Sequence, residues 1–280
     1  MIHKEEKENM KNLEKPIIYK DNMEISHKES PILGYKGVVT WNKSDINCPY
    51  NPFRELDINN QKILIKFPTR QRPEKFFLRL DEYYLNLRDS NFEFIISCDV
   101  DDITMNNVDV VNRLETYPNL RYFFGNNKSK IEAVNANLEY SQFDVLLLAS
   151  DDMTPVKAGY DVIIKQKMKE NFPDTDGVLW FNDGFQGSHL NTLSIIGKKY
   201  YDRFKYIYHP AYKSLYCDTE FTEVSISKNK VKYFDMEIIK HVQYSIVNEQ
   251  PDELYIKNDK LKDVDYITYT DRKLKGFPNE

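Results

Sequence analysis

Short apolar runs separated by polar loops recur between residues 62 and 181. Several of them have the length and the aliphatic or aromatic content of buried strands, namely 62–67, 92–97, 119–124, 145–149 and 177–181. After the first run, large apolar side chains recur at helical spacing from Phe76 to Leu87, and Pro73 suits the first turn of a helix there. Strands that alternate with helical segments predict an α/β fold.

The run at 145–149 is followed almost directly by two adjacent carboxylates, Asp151 and Asp152. Open α/β sheets bind ligands at the carboxyl edge of their strands. Mg²⁺ and Mn²⁺ prefer oxygen ligands, and such ions commonly bridge one or two carboxylates to the phosphates of a substrate. The pair therefore predicts a divalent metal site at that edge. The alternative is that both acids only form a turn and cap a helix that Pro155 would open.

Charged side chains also follow the apolar runs at 62–67 and 92–97. Arg70 and Arg72 come after the first run, close to the predicted start of a helix, where a phosphate is favourably bound. Asp99 and Asp101 follow the second run, and a carboxylate at this position can accept hydrogen bonds from a nucleotide base or ribose. The same sheet edge is therefore expected to bind a nucleotide.

A capping box follows the third run, with Ser129 as the N-cap and Glu132 three residues later. The spacing predicts a helix that runs from there toward Tyr140. Lys130 lies in the first turn, where a cation is unfavourable against the helix dipole. We therefore expect an anion to bind close to Lys130.

Composition limits the class of protein. The chain has 280 residues, 41% of them hydrophobic, so it can bury a core as one large domain or as one domain with extensions. A net charge of -5 argues against broad, sequence-independent binding to nucleic acid. Three cysteines without metal-type spacing provide no complete disulfide framework and fit a reducing, cytoplasmic compartment. We find no signal core and no membrane-spanning run, so any membrane contact is expected to be peripheral.

The order of these elements resembles a nucleotide-sugar-dependent glycosyltransferase of the A-type fold, in particular the large family-2 group. The matching features are Pro-Thr-Arg after the first strand, acids after the second, a Lys-x-x-Ala-x-Asn-Ala helix at 130–136 and a strand that ends in Ser-Asp-Asp. A later segment, Cys-Asp-Thr-Glu-Phe at 217–221, is similar to the Glu-Asp-x-Glu-Phe-like element of that group, with Cys217 in place of the usual Glu. The resemblance covers about 62–245 and implies a single Rossmann-like domain with a mixed central sheet flanked by helices.

The resemblance also implies roles for the charged residues. The nucleotide-binding residues would be Pro68, Thr69, Arg70, Arg72, Asp99, Asp101, Lys130 and Asp151. Asp152 would be the direct ligand of Mn²⁺ or Mg²⁺, with Asp151 on the ribose or on a metal-bound water. His241 is the candidate third ligand, since several A-type transferases add a C-terminal His to the metal or diphosphate.

In inverting family-2 members the Asp of the later acidic element is the catalytic base, which corresponds to Asp218 here, with Glu220 as the fallback. The chemistry needs such a group, because an acceptor hydroxyl that attacks the anomeric carbon must lose its proton. The departing nucleoside diphosphate gathers negative charge, which a metal ion stabilises as a Lewis acid. The alternative is that Asp218 only caps the helix that contains Glu220.

These expectations divide the chain into parts. Residues 1–60 are predicted to be an N-terminal extension that is partly disordered or packs on the core. Residues 61–245 would be the transferase domain, with a nucleotide-binding half at 61–155 and an acceptor half at 156–245. Within the second half, 232–241 is expected to be one strand that ends at His241. Residues 246–280 would be a C-terminal extension with a closing helix.

We therefore expect a metal-dependent, inverting glycosyltransferase that moves a sugar from a nucleotide diphosphate sugar to an acceptor hydroxyl. The expected acceptor is a glycan or lipid-linked saccharide, with a modified base in nucleic acid as the rarer choice. A sugar nucleotidyltransferase is a weaker alternative, because 68–73 lacks the glycine-rich loop usual in such enzymes. A non-catalytic nucleotide- or sugar-binding module is the other alternative, and it predicts binding without consumption of a donor.

Overall fold

Strands and helices alternate over residues 63–148, as predicted. The structure is a computed structural model and describes residues 60–242 and 260–278. The strands are β1 (Ile63–Pro68), β2 (Phe92–Asp99), β3 (Leu120–Gly125), β4 (Val145–Leu148), β5 (Met153–Pro155), β6 (Val178–Phe181), β7 (Ile195–Gly197), β8 (Val231–Phe234) and β9 (Ile239–His241). The helices are α1 (Pro73–Asn86), α2 (Val108–Leu114), α3 (Lys130–Asn135), α4 (Tyr160–Asn171), α5 (Lys198–Tyr201), α6 (Cys217–Ser227) and α7 (Lys262–Leu274), with a 3₁₀ helix at Leu138–Tyr140. The predicted N-terminal extension, apart from residue 60, lies outside the described residues, and so does 246–259 of the predicted C-terminal extension.

Among the described residues, seven strands form a mixed central sheet in the order β3-β2-β1-β4-β7-β6-β8. β1 pairs in parallel with β2 and β4, and β2 pairs in parallel with β3. β7 is antiparallel to β4 and β6, whereas β6 is parallel to β8. A separate antiparallel pair is formed by β5 and β9. None of the helices in 60–242 or 260–278 has the length and apolar character needed to cross a membrane.

Helices cover both faces of the central strands. Ile63 and Ile65 belong to the apolar cluster that includes side chains of α1 and α4. Leu64 belongs to the opposite cluster, with side chains of α3 and α6. Because strands buried on both faces have almost continuous apolar sequences, the sequence pattern located them within one or two residues.

The helix that follows Ser129 is shorter than predicted. Ser129 does cap it, because its hydroxyl oxygen accepts a hydrogen bond from a backbone amide of the first turn at 3.2 Å. However, α3 ends at Asn135, and Ala136 is already extended. The buried ammonium of Lys66 donates to the Ala136 carbonyl at 2.7 Å, so this carbonyl is satisfied from outside the helix. The predicted continuation was therefore wrong.

The strand predicted at 232–241 is two strands in different sheets. β8 ends at Phe234, and β9 begins at Ile239 and pairs with β5. Between them, Asp235 accepts a hydrogen bond from Asn182 at 2.8 Å, outside any strand ladder. The alternative in which Pro155 opens a helix is also wrong, because Pro155 is the last residue of β5. This break matters for the site because β9 ends at His241.

Candidate active site

The loops after β1, β2 and β4 meet at one edge of the sheet because these parallel strands are neighbours. Pro68, at the end of β1, is in register with Ser97 of β2. The next residue, Thr69, is buried, and its amide donates to the Ser97 carbonyl at 3.0 Å. Within the described residues, its hydroxyl oxygen has no hydrogen-bond partner. A buried hydroxyl of this kind is costly unless a ligand or water satisfies it.

Arg70 joins the first two loops. Its guanidinium donates to Asp99 at 2.6 Å and to both oxygens of Asp101 at 2.7 and 2.9 Å. Asn127, from the loop after β3, also donates to Asp99 at 2.7 Å. Three of the predicted nucleotide-binding residues therefore form one cluster. The charge of Arg70 is already balanced there by two carboxylates.

Asp102 is a site residue that the sequence pattern did not single out. Its buried carboxylate accepts hydrogen bonds from the amide of Gln71 and the hydroxyl of Thr104, both at 2.7 Å. Gln71 has a φ of 60°, in the left-handed region that non-glycine residues rarely adopt. Asp102 therefore stabilises a strained turn in the β1 loop. The run of acids after β2 was a signal, but it did not indicate which acid faces this loop.

Arg72 connects the first loop to the acidic pair after β4. Its guanidinium donates to the two carboxylate oxygens of Asp151 at 3.1 and 3.2 Å. Burial raises the pKa of Asp151, and the charge of Asp152 raises it further, whereas Arg72 opposes both effects. The structure thus brings Arg72 and Asp151 together, although they are far apart in sequence.

Asp152 faces His241, which β9 brings to the site by pairing with β5. The Oδ2 atom of Asp152 lies 3.5 Å from Nε2 of His241, and the hydroxyl of Ser150 donates to the other carboxylate oxygen. Burial would raise the pKa of Asp152. His241 and the charge of Lys130 outweigh burial and hold that pKa well below its usual range.

The other side of the His241 ring faces Asp183, a residue that the sequence analysis did not select. Nδ1 of His241 lies 3.6 Å from Oδ2 of Asp183. Burial by itself lowers the pKa of His241, but Asp152 and Asp183 raise it to about 9. The buried carboxylate of Asp183 also organises its own loop, accepting hydrogen bonds at 2.5 to 3.1 Å from Phe185 N, Gln186 N, Gly187 N and Thr192 Oγ1.

Asp218 lies half-buried in the first turn of α6. Burial raises its pKa, and the charges of Lys130 and His241 partly oppose this. Lys130, which is exposed, also lowers the pKa of Asp152, so its charge acts on both carboxylates. The N-cap of α6 is Tyr216 and not Asp218. The carboxylate of Asp218 accepts a hydrogen bond from the amide of the next residue, Thr219, at 2.9 Å. The alternative of a simple N-cap role for Asp218 therefore fails.

Glu220, the fallback base, is engaged in an internal ion pair. Its carboxylate is buried and accepts two hydrogen bonds from Arg272, both at 2.8 Å. The hydroxyl of Tyr212 donates a third at 2.7 Å. Arg272 belongs to α7, so Glu220 connects α6 to the C-terminal helix.

The fit of a metal ion depends on Asp152 and His241. In the part of the chain that the structure describes, no group of three or more His, Cys, Asp and Glu side chains could hold a metal ion. Asp152 and His241 offer one carboxylate and one imidazole nitrogen 3.5 Å apart. Two protein ligands are enough for an ion whose other positions are filled by water and substrate phosphates. The donors therefore fit Mn²⁺ or Mg²⁺ bound together with a diphosphate.

No protein-family model and no curated protein sequence matches the chain. Solved structures of glycosyltransferases do match it. S. aureus TarS 1-349 in complex with UDP has a TM-score of 0.51 and 14% sequence identity, over 64% of this chain and 60% of that chain. TarS 1-349 in complex with UDP-GlcNAc has a TM-score of 0.50 and 16% identity, over 64% and 58% of the two chains. The mannosyltransferase PcManGT from Pyrobaculum calidifontis, in complex with GDP-Man and Mn²⁺, has a TM-score of 0.49 and 13% identity, over 63% and 55%.

This chain has a glycosyltransferase fold. The predicted α/β class, with a mixed central sheet flanked by helices, is thereby confirmed. The chain spans only about three fifths of the length of these neighbouring structures. At such low identity the likeness shows the glycosyltransferase fold alone, so the activity has to be argued from the site.

Proposed function

We propose that the protein is a metal-dependent, inverting glycosyltransferase that moves a sugar from a nucleoside diphosphate sugar to an acceptor hydroxyl. The observation that supports this most is the contact of Asp152 with His241 at 3.5 Å, at a site where the charge of the exposed Lys130 acts on both Asp152 and Asp218. A glycosyltransferase needs this combination, because it must bind a diphosphate and remove a proton within one site.

The nucleoside would bind to the loops after β1 and β2. Thr69 offers a buried hydroxyl without a partner in the described residues, and Asp99 is held by Arg70 and Asn127 at the end of β2. Arg72 and Asp151, which are paired with each other, would contact the ribose or a metal-bound water. TarS is known in complex with UDP and with UDP-GlcNAc, so uridine diphosphate sugars are the first donors to test.

The diphosphate would lie between Lys130 and the pair formed by Asp152 and His241. Mn²⁺ or Mg²⁺ held by Asp152 and His241 would stabilise, as a Lewis acid, the charge that develops on the leaving diphosphate. Oδ2 of Asp183 faces the far side of the imidazole at 3.6 Å, and His241 Nδ1 has no hydrogen-bond partner among the described residues. A closer approach of Asp183 would give the support that second carboxylates commonly provide for metal-binding histidines. Lys130 would bind phosphate oxygens through charge-assisted hydrogen bonds.

In the transfer step, the acceptor oxygen would form a bond to the anomeric carbon as the bond from that carbon to the diphosphate breaks. The proton of the acceptor hydroxyl passes to Asp218, and the electron pair of the broken bond stays on the nucleoside diphosphate. Because burial raises the pKa of Asp218, its carboxylate is a stronger base than an exposed one. A single displacement of this kind inverts the anomeric centre.

We propose a glycan or lipid-linked saccharide as the acceptor. Phe185, on the loop that Asp183 organises, is 41% exposed, and its ring lies edge-on to His241 with the centroids 5.7 Å apart. An exposed aromatic ring beside the reacting groups suits stacking against a sugar ring. The net charge of -5 disfavours a nucleic acid, whose binding depends on phosphate contacts.

The test is a thermal-shift panel of UDP, GDP, UDP-GlcNAc and GDP-mannose with and without Mn²⁺, followed by an assay for released nucleoside diphosphate. Ligand at a hundredfold excess over its Kd stabilises the folded state by about 2.7 kcal/mol, so binding is readily seen. We expect a metal-dependent shift with one nucleotide and consumption of its sugar conjugate. Binding without consumption would support a non-catalytic module instead, and formation of a nucleotide sugar from a nucleoside triphosphate would support a nucleotidyltransferase.

A further inference from the structure

The C-terminal helix α7 holds the loop that leads to Asp218. Asp265, in the first turn of α7, is fully buried. Its carboxylate accepts hydrogen bonds from the consecutive amides of Lys213, Ser214 and Leu215 at 2.9, 2.8 and 2.8 Å. Charge-assisted bonds to three successive amides fix the path of the chain as it enters α6.

A second buried contact joins α7 to α6 itself. Arg272 and Glu220 form a two-bond pair at 2.8 Å, and their side chains are only 8% and 7% exposed. Glu220 is two residues after Asp218, and both lie in the first turn of α6. A bidentate pair of arginine and carboxylate is directional as well as strong. It therefore fixes the orientation of the first turn of α6.

The residue between the loop and the helix is strained. Tyr216, the N-cap of α6, has a φ of 60°. Its ring stacks on that of Tyr269 with the centroids 5.7 Å apart and lies 5.4 Å from that of Tyr266, both on α7. A backbone conformation of this kind persists only when the surrounding structure enforces it. The surrounding structure here is α7.

We propose that Asp265 and Arg272 are positioning residues for the catalytic base. Through the loop at 213–215 and the first turn of α6, they hold the carboxylate of Asp218 at the angle needed to reach the acceptor hydroxyl. The expected effect of these residues on turnover rests on the proposed glycosyltransferase function, whereas their expected effect on the order of the loop at 213–215 does not. Small misplacements of a reacting group are known to lower rates strongly, so a clamp of this kind has a measurable effect.

The kinetic test compares Asp265→Asn and Arg272→Lys with the wild-type protein. Asp265→Asn keeps the shape but removes the charge, and Arg272→Lys keeps the charge but not the bidentate geometry. We expect kcat to fall about thirtyfold in the first variant and about tenfold in the second, in line with the cost of misplacement. The KM for the donor and the Kd for its nucleoside diphosphate should stay within about twofold, because the nucleotide side of the site is untouched.

The matched control is Lys275→Gln, which removes an exposed ion pair with Asp271 near the end of the same helix. We expect wild-type kcat for this variant, because exposed pairs contribute little. Unchanged kcat in both Asp265→Asn and Arg272→Lys would overturn the proposal. So would a parallel rise in donor Kd, since it would mean a general loss of structure.

Amide hydrogen exchange without any substrate separates this proposal from the proposed function. In Asp265→Asn, exchange should accelerate at 213–219 while β1 and β2 keep their protection. Wild-type exchange at 213–219 would overturn the positioning role. If Asp265→Asn does not fold, Arg272→Lys decides by the same two readouts. A wild-type protein that consumes no nucleotide sugar would defeat the proposed function, yet the exchange result would still decide whether α7 fixes this loop.

Discussion

The candidate site has a proposed nucleotide side and a proposed acceptor side, and the two are built in different ways. On the nucleotide side, the charged groups follow β1, β2 and β4, which are neighbours in the sheet, and they pair directly with each other. On the acceptor side, Asp183, Asp218 and His241 lie on three separate segments. The loop before Asp218 is held by Asp265 of α7, and the end of β9 by backbone hydrogen bonds to Asp183 and Asp152. The loop after Asp183 is held by the carboxylate of Asp183 itself.

The two sides are therefore fixed in place by different kinds of interaction. Strand order places most of the nucleotide side, with one buried carboxylate, Asp102, fixing the β1 loop through the amide of Gln71. The acceptor side depends on a few buried carboxylates that bind backbone amides, such as Asp183 for its own loop and Asp265 for 213–215. Substitutions on the nucleotide side should therefore change binding, and substitutions on the acceptor side should change turnover.

The largest expected effect separates the two sides directly. Asp218→Asn should lower kcat by about a thousandfold, because the acceptor hydroxyl then lacks its proposed general base. The Kd for the nucleoside diphosphate should not change. Since burial raises the pKa of Asp218 above its unfolded value, ionising this group at neutral pH opposes folding. The neutral variant should therefore have an equal or higher Tm, which a thermal scan measures alongside kcat.

Glu220→Gln provides the contrast on the same helix. It leaves Arg272 buried without its carboxylate, which costs on the order of 3 to 5 kcal/mol of stability. We expect a clear loss of Tm and a smaller loss of kcat than in Asp218→Asn. If Glu220→Gln instead keeps its Tm and loses all turnover, the base is Glu220 and the assignment to Asp218 is wrong.

Sequence was most informative where burial controls the pattern. Strands covered on both faces are continuous apolar runs, so β1, β2 and β4 could be located, and their parallel arrangement then brings Arg70, Asp99 and Asp152 to one edge. No comparable pattern exists for residues that bind backbone amides. Asp102 and Asp183 stand in polar loops, and nothing in their neighbours indicates which acid turns inward.

Sequence separation limits prediction in the same way. Asp265 and Arg272 contact residues about 50 positions earlier in the chain, and no local periodicity encodes such contacts. The break between β8 and β9 was missed for a related reason. Both halves of 232–241 are compatible with a strand, and only the pairing of β9 with β5 shows that the chain changes sheets.

The next largest effect concerns the metal on the nucleotide side. Asp152→Asn should weaken Mn²⁺-dependent binding of the nucleoside diphosphate by at least about a hundredfold, because the loss of a partner that only supports a metal ligand already costs up to that much. Asp151→Asn is the matched variant, because Asp151 is paired with Arg72 and should contribute less to the ion. Isothermal titration with and without Mn²⁺ measures both. Equal losses in the two variants would show that the ion does not distinguish the two carboxylates.

The last prediction concerns His241, which lies between Asp152 of the nucleotide side and Asp183 of the acceptor side. Its pKa of about 9 lies above the ordinary value of 6.5, so its ionic contribution to stability is fully present below pH 6.5 and is lost as the pH rises through about 9. A metal ion bound as proposed would have to displace that proton, so the apparent affinity for Mn²⁺ with saturating nucleotide should rise by up to about tenfold per pH unit between about pH 7 and 9. In Asp183→Asn one of the two carboxylates that raise this pKa is gone, and the rise should level off at lower pH. An affinity for Mn²⁺ that does not depend on pH over this interval would exclude His241 as a ligand. His241 would then interact with Asp152 and Asp183 only through its charge.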